Sequence, residues 1–200
     1  MMAFNFSKKF DFQPKLSIGD NQLEVVESTK LLGIVVSSDL KWNLHTEYVV
    51  KKAKKRLWYL RRLSKLGAST STLLDQYNLL IRSLLDQAAP VFTGGLSQSN
   101  IEDFEDVQKS AFKIILKGKY YSYGNALKVL NQKTLEERRE SICLKFAKKN
   151  RSHPKLKHLF EFKENLRTRS GNIFKEPRYN TQRGQNGPIN YLVRLLNNTK

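Results

Sequence analysis

Residues 49–67 read VVKKAKKRLWYLRRLSKLG, and their fold decides the architecture. The stretch holds Lys51, Lys52, Lys54, Lys55, Arg56, Arg61, Arg62 and Lys65, with no acid among them and with Trp58 and Tyr59 in the middle. Set Ala53 at zero and step about 100° per residue. Thr46, Val49, Leu57 and Leu60 then fall within about 40° of it, and Val50 near 60°. This is the apolar stripe of an amphipathic helix. Lys51, Lys54, Lys55, Arg62 and Lys65 gather on the far side, and Trp58 lands among them. Tyr59 lies near the other edge of that polar face. The spacing predicts a helix from Asn43, as N-cap, to about Leu66, ended by Gly67.

Working outward, residues 1–40 read as a small β-unit. Lys15-Leu16-Ser17-Ile18 alternates, Gly19-Asp20-Asn21 signals a turn, and Leu23-Glu24-Val25-Val26 resumes, which predicts a hairpin. Leu31 to Val36 is rich in β-branched residues and reads as a buried strand. Downstream, Ser69 or Thr70 starts a second helix with Leu73, Tyr77, Leu80, Ile81, Leu84 and Ala88 on one stripe, stopped by Pro90. Gly94-Gly95 reads as a turn. Ser99 to Glu102 fits a capping box, followed by the apolar face Ile101, Phe104, Val107, Ala111, Ile114 and Ile115, with Gly118 ending the helix. A short helix is expected from Ser122 to Leu130. Another should run from the box at Thr134 to about Asn150, with Leu135, Ile142 and Phe146 inward, closed by His153-Pro154. The predicted class is mainly α: an N-terminal β-hairpin and strand unit over 1–40, a four- to five-helix bundle over 41–160, and a poorly ordered basic tail over 161–200. Residues 161–187 are expected to be a weakly ordered linker, with Ile189 to Leu196 forming a short terminal helix.

The charge of +18 on 200 residues is segregated. Residues 41–66 carry nine cations against Glu47, a net +8, and residues 151–200 carry eleven against three glutamates, again +8. The remainder, 16 cations against 14 acids, is near neutral. Such segregation points to a polyanionic partner, nucleic acid first and an anionic membrane second. On the helix, Lys51–Lys55, Lys52–Arg56 and Arg61–Lys65 are like charges at i,i+4, each unfavourable by about 0.2–0.5 kcal/mol. A phosphate backbone on that face relieves the repulsion and releases counterions, and an aromatic among the cations can stack on a base or sugar. Apolar runs are far shorter than the roughly 18 residues of a membrane span. Residues 1–12 lack the pattern of a secretory signal. Cys143 is alone, so no internal disulfide forms, which suits an intracellular compartment.

Catalytic patterns are missing. Neither G-x-x-x-x-G-K-[ST] nor G-x-G-x-x-G occurs. Cys143, His153 and His158 lack the second cysteine of a zinc finger, and His45 is remote in sequence. Glu102, Asp103, Glu105 and Asp106 lie near a helix start, where they complement its dipole. No carboxylate pair is set out for two-metal phosphoryl transfer.

The order of segments resembles the C-terminal region, end of palm plus thumb, of reverse transcriptases of non-LTR (LINE-type, jockey-like) retrotransposons. Leu31 to His45 resembles the strand and W-x-x-H stretch after the palm, with Leu31 in place of the usual tyrosine. Lys51-Lys52-Ala53 through Leu63 is similar to the family's basic helix, and Leu79 to Phe92 to its L-x-R-x-x-L-x-x-A-x-P-V segment. Glu105 to Ala111, Thr134 to Arg139, His158 to Phe160, Ile189 to Tyr191 and Arg194 to Asn197 complete the likeness. The resemblance implies a transposable-element fragment without the catalytic Asp-Asp turn, inactive alone, with the rest of an RNA-directed DNA polymerase upstream. It implies a primer-grip-like strand at Leu32, Gly33 and Ile34. Lys51, Lys54, Lys55, Arg61, Arg62 and Lys65 would bear on the backbone of an RNA template–DNA primer duplex, with Trp58 beside it. No cofactor is expected in this chain, Mg2+ belonging to the absent palm, and a nuclear location follows. Two other readings stand beside it: a free-standing basic helical nucleic-acid-binding module, and a helical scaffold docking an acidic partner or membrane.

Overall fold

The computed structural model describes residues 2–4, 15–163 and 173–199. Two hairpins come first. β1 (Ser17–Ile18) pairs antiparallel with β2 (Asn21–Gln22) around Gly19 at φ 60°. β3 (Ser28–Leu31) pairs antiparallel with β4 (Ile34–Ser37), Leu31 opposite Ile34. The second hairpin corrects an expectation: residues 31–36 do not form one buried strand. Leu32 at φ 48° and Gly33 at φ 87° make a two-residue turn, and Leu32 is 89% exposed. Two positive φ values in succession match the twist of a tight hairpin. A glycine within an apolar run was the signal for a turn.

α1 (Asn43–Lys65) buries His45, Thr46, Val49, Val50, Ala53, Leu57 and Leu60, which includes the whole predicted stripe. Its start differs by one residue. Trp42 flanks the helix, and the Asn43 side chain accepts from Asn100 Nδ2 at 3.0 Å instead of capping its own helix. At the other end Gly67 turns left-handed at φ 86°. Its N–H donates to the Ser64 carbonyl (3.3 Å) and that of Ala68 to the Leu63 carbonyl (3.1 Å). This bond pair is the Schellman ending that glycine permits.

α2 (Thr70–Gln76) is capped by the Ser69 hydroxyl, and runs through a π turn (Tyr77–Arg82) into α3 (Ser83–Asp86). Pro90 is not what stops it. The chain breaks at Gln87 and at Ala88, φ 57°, and Pro90 sits in the first turn of α4 (Ala89–Phe92), where its missing N–H is not needed. α5 (Gln98–Leu116) is capped by Ser97, two residues before the predicted Ser99. It ends at Lys117, φ 52°, rather than at Gly118. α6 (Tyr123–Val129) is capped by Ser122, and α7 (Leu135–Asn150) carries the predicted box of Thr134 and Glu137. α8 (Gln182–Gln185) and α9 (Pro188–Asn198) complete the order.

The fold is mainly helical with small N-terminal strand pairs, and its core is one cluster centred on α1, α5 and the segments between them. α1 and α5 run in the same direction: Asn43 meets Asn100 at one end, and Ser64 Oγ reaches the Ile114 carbonyl (3.4 Å) at the other. α7 is rotated from expectation. Its buried residues are Leu135, Arg139, Cys143 and Ala147, while Phe146 is exposed and Ile142 half-buried.

The core does not stop at residue 160. Phe174 is buried and bridges Phe162, and its N–H donates to Asn197 Oδ1 (2.9 Å). α9 buries Leu192, Val193, Leu195 and Leu196 against its neighbours α7 and α4. Glycine makes the approach possible: a Cβ on Gly94 would lie 2.6 Å from Tyr191 Cβ, and one on Gly95 2.6 Å from Trp42 Nε1. Residues 164–172 of the predicted linker, and most of the N-terminal stretch read for a signal, lie outside the described residues.

Candidate nucleic-acid interface

α1 has no glycine or proline between Asn43 and Lys65, and is rich in leucine, lysine and arginine, all good helix formers. Burial of its Ala53 stripe against α5, α3 and β4 leaves one arc outward. Lys51, Lys54, Lys55, Arg61, Arg62 and Lys65 are all exposed on that arc, within about 60° either side of Trp58. Trp58 is 55% exposed. Tyr59 stands edge-on to it, ring centroids 5.1 Å apart, and the Arg62 guanidinium lies 5.7 Å from the indole centroid. Among the described residues none of these six cations takes part in an ion pair.

The arc has two ends of different character. Toward its N-terminus, Lys51, Lys54 and Lys55 line a groove of roughly 880 Å³ with Asn43, Ser99 and Asn100, which also holds the carboxylates of Glu47 and Asp103. Asp103 belongs to α5, so its presence beside the lysines had no local signal in the sequence. Toward the C-terminus, Arg61, Arg62 and Lys65 flank Trp58 with no acid in that part of the helix. Lys117, from the end of α5, donates to the Ser64 carbonyl at 3.1 Å and adds a further cation there.

Arg56 and Lys52 do not belong to this face. Arg56 is half-buried, and its guanidinium donates to the Leu80 carbonyl inside the π turn. Lys52 lies on the opposite flank with Lys30 and Tyr48: Lys30 Nζ donates to the Tyr48 hydroxyl at 2.7 Å, and Lys52 Nζ is 5.4 Å from the ring centroid. The Lys30 ammonium holds the Tyr48 hydroxyl below the usual phenol range. Lys30 reaches this cluster from β3, a pairing that sequence spacing could not show.

Leu32, Gly33 and Ile34 are also away from the cationic arc. Leu32 and Gly33 form the hairpin tip. Ile34 and Gly33 line a small cavity with His45, Tyr48, Lys52 and Gln87, on the other flank of α1. The residues expected to hold a primer end are therefore a hairpin tip and the first residue of β4, and they do not share a surface with Trp58.

Three of the four candidate acids have structural partners. Glu105 accepts from the Tyr123 hydroxyl and from the Glu136 N–H (2.9 Å), Asp106 pairs with Lys109 (2.8 Å), and Glu102 accepts from Gln98 (3.1 Å). The first turn of α5 itself holds no acid, so the dipole role expected of this cluster gives way to these contacts. Cys143 is buried, which pushes its thiol pKa up, whereas His153 and His158 are exposed. In the basic tail, Lys175 pairs with Glu161 at 3.3 Å. Among the described residues no helix is long and apolar enough to cross a membrane.

Compared with known families, residues 42–74 match the family described as "Alkylated DNA repair protein alkB homolog 8, N-terminal". The match spans α1, the Gly67 turn and the start of α2, a minor part of the chain. No curated protein and no solved structure matches. This finding overturns the reverse-transcriptase resemblance, since the basic helix, one of the segments that carried that likeness, matches the model of a different family. The physical reason is plain. Lysines and arginines around a 3.6-residue apolar period are what any basic amphipathic helix requires, so such a segment is weak evidence for one lineage. The thumb, primer-grip and retrotransposon reading does not hold, and the family likeness found is confined to residues 42–74.

Proposed function

We propose that the chain is a basic helical module that binds nucleic acid through the sugar–phosphate backbone, without reading base sequence. One observation carries this: six exposed cations, none ion-paired among the described residues, surround an exposed tryptophan on a single helix face. Like charges at this spacing repel, and neutralisation by phosphates with release of counterions is the natural source of favourable free energy. The match of residues 42–74 to a family named for alkylated DNA repair supports a nucleic-acid partner. The reading assigns the chain no catalytic step, no cofactor and no metal. It includes an intracellular location, where the lone Cys143 stays reduced.

The test is fluorescence anisotropy with labelled RNA and DNA over a salt series. Replacing Lys51, Lys54, Lys55 and Arg62 together by glutamine should weaken binding to all sequences alike. The slope of log affinity against log salt should flatten by about 0.7–0.9 per lost phosphate contact. Unchanged affinity removes α1 from the mechanism. Binding of an acidic protein or anionic vesicle that survives excess RNA would favour a scaffold instead.

A further inference from the structure

We propose that the α1 face selects single-stranded over double-stranded nucleic acid by stacking an unpaired base on Trp58; the proposal rests on the reading above. The two tryptophans have divided roles. Trp42 is 9% exposed and packs against His45 and Phe92, with Gly95 close to its ring nitrogen. Trp58 is outside the core cluster, and α1 is held down by Ala53, Leu57 and Leu60 without it. A large ring left 55% exposed adds little to folding and is available to a partner.

The surroundings define that partner. Every i±3, i±4 and i±7 neighbour of Trp58 on α1 is a cation: Lys51, Lys54, Lys55, Arg61, Arg62 and Lys65. Tyr59 stands edge-on to the ring and Leu66 is exposed beyond it, but a protein helix docking on these apolar groups would have to desolvate the six charges around Trp58. A lipid surface needs an apolar helix sector, and that of α1 is buried in the core. A nucleic-acid strand matches both features, with phosphates for the cations and a π-face for the indole. In a duplex each base face is covered by its neighbours, and exposing one requires unstacking and unpairing. In a single strand the face is already free. Arg62, 5.7 Å from the indole centroid, is placed to extend the platform by stacking its own planar group.

The experiment uses the full chain and a mixed-sequence RNA strand, the DNA strand of the same sequence, and each annealed to its complement. Wild type should bind the strands about tenfold more tightly than the duplexes at equal salt. Trp58→Ala should lose about tenfold on strands and little on duplexes, with unchanged salt slope, since the indole meets no phosphate. Trp58→Phe should retain most of the preference. Circular dichroism checks that each variant is folded. Strands should quench tryptophan emission in wild type and not in Trp58→Phe, where the buried Trp42 remains. Quenching by RNA alone or by DNA alone supports the proposal and identifies the sugar. Equal binding of strands and duplexes, or equal loss on both in Trp58→Ala, overturns the proposal and leaves backbone binding standing. Binding to neither overturns the nucleic-acid reading as well. A Trp58 blue shift on anionic vesicles, with no response to strands, overturns both in favour of a membrane surface.

Discussion

The guanidinium of Arg56, at the middle of α1, donates to the carbonyl of Leu80 within the π turn that joins α2 to α3. A side chain bonding into a helix ladder commonly accompanies a widened turn. Arg56 is therefore a structural cation within a helix whose other arginines face solvent. Arg56→Met keeps the apolar stem and removes the donor. It should destabilise the protein by about 1.5–3 kcal/mol, the usual range for a hydrogen bond with a charged partner. Arg62→Gln removes the same charge from the same helix and should leave stability within about 0.5 kcal/mol. Urea unfolding and binding anisotropy on both variants should give opposite patterns: Arg56→Met weakens the fold, and Arg62→Gln weakens binding.

His45 makes stability depend on pH. Its Nδ1 accepts the Val35 N–H at 3.3 Å, tying β4 to α1, and burial lowers the pKa from its ordinary value of 6.5. The neutral form is favoured in the folded state, so the full contribution is present above the unfolded pKa of 6.5. Below that value the unfolded chain takes up a proton that the folded chain refuses. Stability then falls by up to about 1.4 kcal/mol per pH unit until the lowered folded pKa is reached. Urea midpoints near pH 7.5 and pH 5.5 should differ in wild type, and the difference should shrink in His45→Gln.

The residues that the sequence revealed are those whose signal is local. The Ala53 stripe repeats every three to four residues, Thr134 and Glu137 are three apart, and Gly67 ends a helix because only its own backbone is involved. Partners supplied by distant segments were invisible. Asp103 enters the lysine groove from α5, Lys30 reaches Tyr48 from β3, and Arg56 turns inward to a carbonyl 24 residues away. On α7 the buried face includes Arg139 in place of Phe146: Arg139 is fully buried with its guanidinium 4.8 Å from the Phe104 ring centroid. A cation–π contact of this kind leaves no pattern in a single helix. Exposure of Trp58 was legible because its i±3 and i±4 neighbours are all charged.

Gly94 and Gly95 hold α9 and Trp42 close to the turn after α4. A methyl group at Gly94 meets Tyr191 Cβ at 2.6 Å and the Asn186 carbonyl oxygen at 2.9 Å, neither of which is the far end of a flexible side chain. At Gly118 nothing lies within 4 Å. Gly94→Ala should therefore destabilise by about 1–3 kcal/mol through overpacking, and Gly118→Ala should be nearly silent. If α9 is displaced, backbone amides of residues 189–198 should lose hydrogen-exchange protection in Gly94→Ala before those of α1 do. Equal protection in both helices would mean that the clash is absorbed without moving α9.

The Leu32–Gly33 turn offers a substitution that should stabilise the protein. Leu32 holds φ 48° and is 89% exposed, so its side chain gains little from packing and bears the steric penalty of a left-handed backbone. Asparagine tolerates that region far better, and Asn-Gly is the preferred pair for a turn with positive φ at both central residues. Leu32→Asn should raise stability by about 0.5–1 kcal/mol, read as a higher urea midpoint with unchanged slope. It also removes an exposed apolar side chain from a hairpin tip. Gly33→Ala should act in the opposite direction, since Gly33 sits at φ 87° and an added Cβ would lie 3.0 Å from Gln87 Nε2. Were residues 31–36 a continuous buried strand, the signs would reverse: asparagine would bury an unsatisfied amide, and alanine would be tolerated. Nucleic-acid affinity should be unchanged in both variants, because the tip lies on the flank of α1 opposite Trp58.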